Sequence, residues 1–488
     1  MKMTVTTKTG MPIITRNDKM KFGKTYYLIS AIALIILFEC MTSCDVSRSY
    51  QRPTAYLNDK LYRNASTSDM TTIATIPWQQ FFTDTVLQQL IREGIQNNLN
   101  LKIAVTRIKA AEANYTQAIY AYFPTLNANL SATVQKQGQT KTLPATTTAS
   151  QIYEPYLSSS YQLGLWGQLR SAKRAQLNAL LASTAAQRAV QTQLISDIAS
   201  NYYSLLALDA QLAITKATVQ NRKEDVATMK VLKESDVVTS AAVVQSAAGM
   251  YGVQVTIPDI ELSIQETENT ISILLGKAPD SVKRTTLQAQ IISDSLSTGV
   301  PSQLLANRPD VQEAEYNYRY YFQLTNVART YFYPSITITA QGGLLNNSIT
   351  NFFNGASVFG SIAGGLTQPI FNQGINRQRL TVAKANQEQY LYTYEQTLLS
   401  AGNDVSNALA SFKAAQEKTS IRDSEIVNLQ KAVDYTRELL KYTSNTNYTD
   451  VLTSEQNLLS AQLSSINDKL QMLQARVSLY IGLGGGWR

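Results

Sequence analysis

Two short stretches of the chain alternate oily and wet positions with period two. In residues 125–134, Leu126, Ala128, Leu130, Ala132 and Val134 share one face of an extended strand, and Thr125, Asn127, Asn129, Ser131 and Thr133 share the other. Residues 335–341 repeat the scheme, with Ile336, Ile338 and Ala340 opposite Ser335, Thr337, Thr339 and Gln341. The alternation predicts strand pairs at 122–134 with 156–166 and at 333–341 with 358–369, each strand near the length a tilted strand needs to cross a bilayer. Polar stretches rich in Ser, Thr, Gly and Asn, 135–153 and 342–356, join the members of each pair. Tyr122, Phe123, Trp166, Tyr331, Phe332, Tyr333 and Phe371 gather at the strand bases. An interfacial girdle requires such aromatics, and ordinary core packing uses them too.

Between these segments the period changes. Val253, Ile257, Ile260, Ile264, Thr267, Ile271 and Leu274 step by four and three, as do Leu459, Leu463, Ile466, Leu470, Leu473, Val477 and Tyr480. That spacing is the seam of a coiled coil. No Gly or Pro falls between Gln168 and Ala248, and Gly402 alone interrupts Ile375 to Ile481, so long helices are predicted there. Polar sequences at 235–239 and 444–447 would turn each stretch back as an antiparallel hairpin, whose outgoing arm of about 65 residues would reach roughly 100 Å. Pro258 predicts a kink or break in the first return arm.

These elements occur twice. Phe123-Pro124-Thr125-Leu126 recurs as Tyr333-Pro334-Ser335-Ile336, 210 residues on, and the two seams lie 206 apart. A local match of Asp236-Val237-Val238-Thr239-Ser240 with Asp450-Val451-Leu452-Thr453-Ser454 has a shift of 214, and the longer seam is the better guide to equivalence. The chain then divides into a leader, 1–43; an N-terminal extension, 44–85; a first repeat, 86–276; a connecting segment, 277–305; and a second repeat, 306–488. Four strands with open edges cannot stand in hydrocarbon, where unpaired backbone groups cost on the order of several kcal/mol each. Other copies must complete the sheet. Two copies would make a small barrel filled by side chains and three a barrel with a lumen; the pattern alone does not choose.

Composition narrows the chemistry. The 488 residues include no histidine, so the commonest general base and metal ligand are missing. The two cysteines, Cys40 and Cys44, stand near the N-terminus and leave the body without a disulfide or thiolate site. With no phosphate loop, nucleophile elbow or metal cluster, no catalytic residue, cofactor or metal site is assigned. The net charge of +8 is half accounted for by Lys2, Lys8, Arg16, Lys19, Lys21 and Lys24 against Asp18 and Glu39. The remainder forms no basic stripe, which argues against nucleic acid.

The leader reads as an export signal. Lys19, Lys21 and Lys24 precede an apolar run, Tyr26 to Phe38, too short to span a bilayer comfortably, and translation from Met20 would give a more ordinary start. Met41-Thr42-Ser43-Cys44 resembles a relaxed lipobox, which would make Cys44 the lipidated first residue of the mature chain. An ordinary signal peptide with an incidental cysteine is the alternative, and Asp45, a retention signal for the inner membrane in some enteric bacteria, runs against an outer-membrane anchor.

Across essentially the whole mature chain, short motifs in order resemble the outer-membrane efflux protein family of the TolC and OprM type. Ser47-Arg48-Ser49-Tyr50-Gln51-Arg52-Pro53 is similar to the Tyr-x-x-Pro segment after the lipidated cysteine of OprM-like members. Arg308-Pro309-Asp310-Val311 resembles the opening of the family's second repeat, Thr367-Gln368-Pro369-Ile370-Phe371 its strand-to-helix exit, and Leu479-Tyr480-Ile481-Gly482-Leu483-Gly484-Gly485-Gly486-Trp487 its C-terminus. The resemblance implies a mainly α fold with membrane β: a two-repeat protomer giving four strands to a trimeric 12-stranded β-barrel, plus long antiparallel coiled-coil helices forming a periplasmic tunnel. It further implies a lipid-anchored outer-membrane protein that works as a homotrimer with a periplasmic adaptor and an inner-membrane transporter of the resistance-nodulation-division class. Such a channel conducts small molecules passively and catalyses nothing. At its periplasmic gate, Tyr442 and Asp450 match a gate tyrosine and a ring aspartate, and Asp236 lies in the first tip. Thr453 stands where a second ring acid is expected, Asn445 replaces a common glycine, and no arginine occupies 444–450, all departures from the family's gate. A protein-secretion duct and a non-conducting coiled-coil lipoprotein scaffold are the alternatives; the scaffold leaves the two-faced segments unexplained.

Overall fold

The computed structural model describes residues 46–53, 61, 72–135, 150–291, 303–351, 353–442 and 448–488. The leader, Met20, Cys44, Asp45, the loop residues 136–149, Asn445 and the tip at 444–447 lie outside them.

Among the described residues, eight long helices and four strands alternate twice. They run α1 (Thr85–Asn97), α2 (Leu99–Tyr120), β1 (Thr125–Gln135), β2 (Ser150–Leu163), α3 (Gln168–Glu234), α4 (Ser240–Gln254), α5 (Thr256–Leu274), α6 (Pro309–Thr330), β3 (Ser335–Leu344), β4 (Val358–Thr367), α7 (Ile375–Tyr442) and α8 (Tyr448–Gly482). Among the described residues no helix is long and apolar enough to cross a membrane. The strands form one antiparallel sheet in the order β1-β2-β3-β4. Packing divides the chain differently from its repeats. One compact unit takes 118–174 and 322–384, with the strands of both repeats, and the other takes 51–117, 175–321 and 385–488, with most of the helical length of both.

Strand ends depart from the sequence pattern by a few residues. β1 begins at Thr125 rather than 122 because residues 121–124 form the turn that ends α2, and β2 starts at Ser150, six residues early, because Ser150 pairs with Gln135. β3 continues to Leu344 through a register that Gly343 makes possible; a Cβ there would meet Tyr156 Cα at 2.6 Å. The break expected at Pro258 falls at Val255, between α4 and α5. Proline thereby occupies the first turn of a new helix, where its missing N–H costs little.

The helical unit has its largest core where the two repeats close the same joint. Gly276, with φ 69°, ends the first hairpin, and Gly484, with φ 96°, the second. Beyond each, backbone bonds tie the chain to the last helical turn, Lys277 N–H to Ser272 O at 2.9 Å and Gly485 N–H to Tyr480 O at 2.9 Å, the left-handed ending that glycine adopts at least cost. A side chain at either would strike a carbonyl, that of Asn97 at 2.7 Å or of Asn307 at 2.5 Å. The bond closing the joint differs: Asn98 Nδ2 donates to Leu274 O at 2.9 Å in the first repeat, and Arg308 Nη1 to Gly482 O at 3.0 Å in the second. Around them pack Trp78, Phe82, Leu87, Ile91, Ile195, Ile198, Leu205, Ile271, Val405 and Leu479. Tyr480 stacks on Phe81 with centroids 4.0 Å apart and donates to Ile76 O.

Candidate functional site

The register of the sheet sorts its side chains by polarity. One row runs Leu126, Ser159, Ala340, Ile362 across the four strands, and the next row on that face Ala128, Leu157, Gly342, Gly360. With Leu130, Val134, Ile336, Ile338, Val358 and Leu366 this face is nearly all apolar, and it is open: Leu130 is 83% and Ile362 82% exposed. The opposite face carries hydroxyls and amides, as in the row Asn127, Ser158, Gln341, Ser361. Glu154 is the one charged residue in the four strands. β1 and β4 are each paired on one side. An exposed oily sheet with two free edges is forbidden in water by the hydrophobic effect and in lipid by its unpaired edges, unless copies join.

At the strand bases the aromatics make specific contacts. Trp166 Nε1 donates to Pro334 O at 2.6 Å, and its ring lies 5.2 Å from that of Tyr333. Asn376 Nδ2, in the first turn of α7, donates to Tyr331 O at 2.7 Å. Phe123 and Phe371 are exposed. Residues 46–53 run beside α6: Asn326 exchanges hydrogen bonds with the backbone of Arg48, Tyr50 meets Phe322 edge-on, and Arg52 forks onto Glu315 at 2.8 and 2.9 Å. These contacts fix the segment that follows Cys44.

The residues singled out for a gate fall at helix ends. Asp236, with φ 57°, sits where α3 terminates, and Val237 N–H returns to Leu232 O at 2.9 Å. Its local role is therefore a left-handed helix ending, in which Asp substitutes for the usual glycine. Thr239 caps α4 by accepting from Ala242 N–H. Tyr442 is the last residue of α7 and 78% exposed; Asp450 stands exposed in the first turn of α8. Because α4 starts at Ser240 and α8 at Tyr448, 208 residues apart, Asp236 and Asp450 are not equivalent: one is in a turn and the other in a helix.

What the structure brings together lies deeper in the hairpins. Arg437 of α7 donates to Glu455 of α8 at 2.7 and 3.0 Å and to Asp225 of α3 at 3.2 Å. Arg222 of α3, 3% exposed, lies 3.8 Å from Glu455, donates to Gly249 O of α4 at 2.7 Å and to Gln456 at 3.1 Å. Ser246 Oγ donates to Tyr448 Oη at 2.8 Å beside them. Burial, and then the neighbouring Asp225 carboxylate, push the Glu455 carboxyl up to about 7 against the pull of Arg437. Four helices are thus cross-linked by two guanidiniums and two carboxylates. The sequence holds a signal for this cluster that its polar tips obscured: Arg222, four before Val226, and Glu455, four before Leu459, are charges at positions where a seam should be apolar.

A sheet that must be completed by copies of itself to stand in lipid, joined in sequence to long paired helices, defines an outer-membrane channel of the barrel-and-coil class. The chain belongs to the outer membrane efflux protein family, whose pattern matches residues 90–277 and 300–485. It is 28% identical over 466 residues to the probable efflux pump outer membrane protein TtgC of Pseudomonas putida, covering 94% of this chain and 96% of that one. It is also 28% identical over 455 residues to the cation efflux system protein CusC of Escherichia coli, covering 92% and 97%. A crystal structure of a membrane protein from Pseudomonas aeruginosa superposes with a TM-score of 0.83 at 25% identity, covering 90% of this chain and all of that one. The chain is accordingly an outer-membrane exit channel for efflux and not an enzyme.

Proposed function

We propose that three copies close the sheet, β4 of each against β1 of the next, into a 12-stranded barrel through which small molecules leave the cell passively. The observation that carries this reading is the sheet with one continuous oily face, one wet face on which Glu154, opposite Ser131, is the sole charge, and two open edges. The wet face then lines the lumen, where hydroxyls and amides retain neither sign of charge. Exposed apolar positions one heptad apart on the hairpins, Val244 and Tyr251, Val255 and Leu262, and two heptads apart, Ile421 and Tyr435, support packing between copies. Lipidation at Cys44 anchors each protomer, and the segment held on α6 sets where that anchor leaves the body.

Cargo arrives from an inner-membrane pump of the resistance-nodulation-division class through a periplasmic adaptor that engages the helical hairpins. The relatives' names, one a probable efflux pump and one a cation efflux protein, support small cargo over protein export. Tyr442, Asp450 and Asp236 line the closed end, with the Arg222–Asp225–Arg437–Glu455 cluster locking the hairpins behind them. The test is single-channel recording in planar bilayers: discrete conductance steps are expected, with cation preference reduced by Asp450→Ala. A protein that adds no conductance while correctly folded is a scaffold, not a duct.

A further inference from the structure

Charge in the sheet-bearing unit is sorted to one end. Among its described residues Glu154 is the sole carboxylate side chain, nine residues up β2 from Leu163, about 30 Å away at ~3.3 Å per residue. At the opposite end, Lys173 stands in the second turn of α3, Arg377 and Arg379 open α7, and Arg329 closes α6. Cations near a helix start work against its dipole. Burial, and the nearby Arg48, hold Arg329 below the usual guanidinium range. Both repeats place a cation over a tyrosine at the strand base, Lys173 at 5.9 Å from the Tyr122 ring and Arg379 at 4.8 Å from Tyr331. That pairing suits side chains anchored where oil meets water.

The second of these pairs lines a cavity of about 340 Å3, together with Trp166, Tyr333 and Asn376. Its size is at the low end for ligand pockets, roughly 300–1,000 Å3, and it combines ring faces, an amide and a guanidinium. We propose that this cavity binds the phosphate of an anionic phospholipid in the periplasm-facing leaflet. Arg379 holds the phosphate, Asn376 is close enough to contact the polar head, and the rings of Trp166 and Tyr331 hold the glycerol and first methylenes. Arg377, Lys173 and Arg329 raise the local potential and select negative headgroups over zwitterionic ones. The inference rests on the reading of the sheet as a membrane wall; it adds which lipid the wall prefers and where.

The purified full-length assembly in neutral detergent is titrated with dioctanoyl phosphatidylglycerol, with dioctanoyl phosphatidylcholine and with inorganic phosphate, following tryptophan fluorescence, with Trp166→Phe identifying the reporter. Saturable binding of the glycerol lipid is expected, weakened roughly fivefold to tenfold in Arg379→Gln and partly restored in Arg379→Lys. Inorganic phosphate is expected to bind far more weakly than the lipid. Phosphatidylglycerol affinity unchanged by Arg379→Gln, equal affinity for the choline lipid, or equal affinity for phosphate alone overturns the proposal. Conductance of Arg379→Gln in planar bilayers is recorded in parallel. A conducting variant with unchanged lipid affinity sinks the lipid site alone, whereas loss of conductance in the unmodified protein sinks the channel reading itself.

Discussion

The wall of the sheet and the ends of the hairpins use polar residues in opposite ways. On the wet face of the sheet, Asn127, Asn129, Ser158 and Gln341 are neutral, and each makes at most local bonds such as Asn129 Nδ2 to Ser158 Oγ at 2.9 Å. In the hairpins the polar groups are ionisable, largely shielded and interlocked: Glu455, 7% exposed, is held by Arg437 and faced by Asp225 and Arg222. A wall of weak partners, neutral but for Glu154, lets solutes pass. A buried ion cluster shared by four helices holds one arrangement until something breaks it, which is the behaviour a closed end requires.

The sharpest way to break this contrast is Glu455→Ala, which removes the carboxyl that faces the buried Arg222 and accepts from Arg437. A loss of about 3–5 kcal/mol is expected, read as faster hydrogen exchange in α8 with exchange in the strands unchanged. Leu130→Arg should cost ~2–4 kcal/mol near the bilayer centre, seen as failed insertion into vesicles. Asn129→Arg, the next position on the opposite face, should insert normally and shift reversal potential toward anions. Acidity probes the cluster more gently. Because the folded state raises the Glu455 carboxyl to about 7 from an ordinary 4.5, it favours the neutral acid; that contribution is complete below the unfolded value and lost as pH rises through about 7. Exchange at the start of α8, corrected for the intrinsic rate, should therefore be slower at pH 6 than at pH 8, and the reverse slope would exclude a protonated Glu455. Smaller still, Thr239→Ala should cost about 1 kcal/mol through loss of the α4 cap. Asp236→Gly should change stability by under about 1 kcal/mol, toward the folded state, because its φ of 57° suits glycine. A change of ion selectivity in that variant would return Asp236 to the gate.

Sequence pattern made the strands and hairpins legible because each residue there answers to a local period. Leu126 and Ile336 announce a two-faced strand by their immediate neighbours, and Ser235 to Thr239 announce a turn by their polarity. Strand ends were less legible, since Ser150 belongs to β2 only through its pairing with Gln135. The ion cluster was missed because its members come from separate helices, Arg437 and Asp225 being 212 positions apart. Repeat matching did not reach the joint: Asn98 and Arg308 occupy equivalent places and make the same bond with different donors.

Single cysteines placed in turn at Ala128, Asn129, Leu130, Ser131, Ala132 and Thr133 of β1, in protein reconstituted into vesicles, give the most direct reading. A membrane-impermeant maleimide should label positions 129, 131 and 133 from the aqueous lumen and leave 128, 130 and 132 protected by lipid. Equal labelling of both sets would mean that the oily face meets water, and that the sheet is not the wall of a membrane channel.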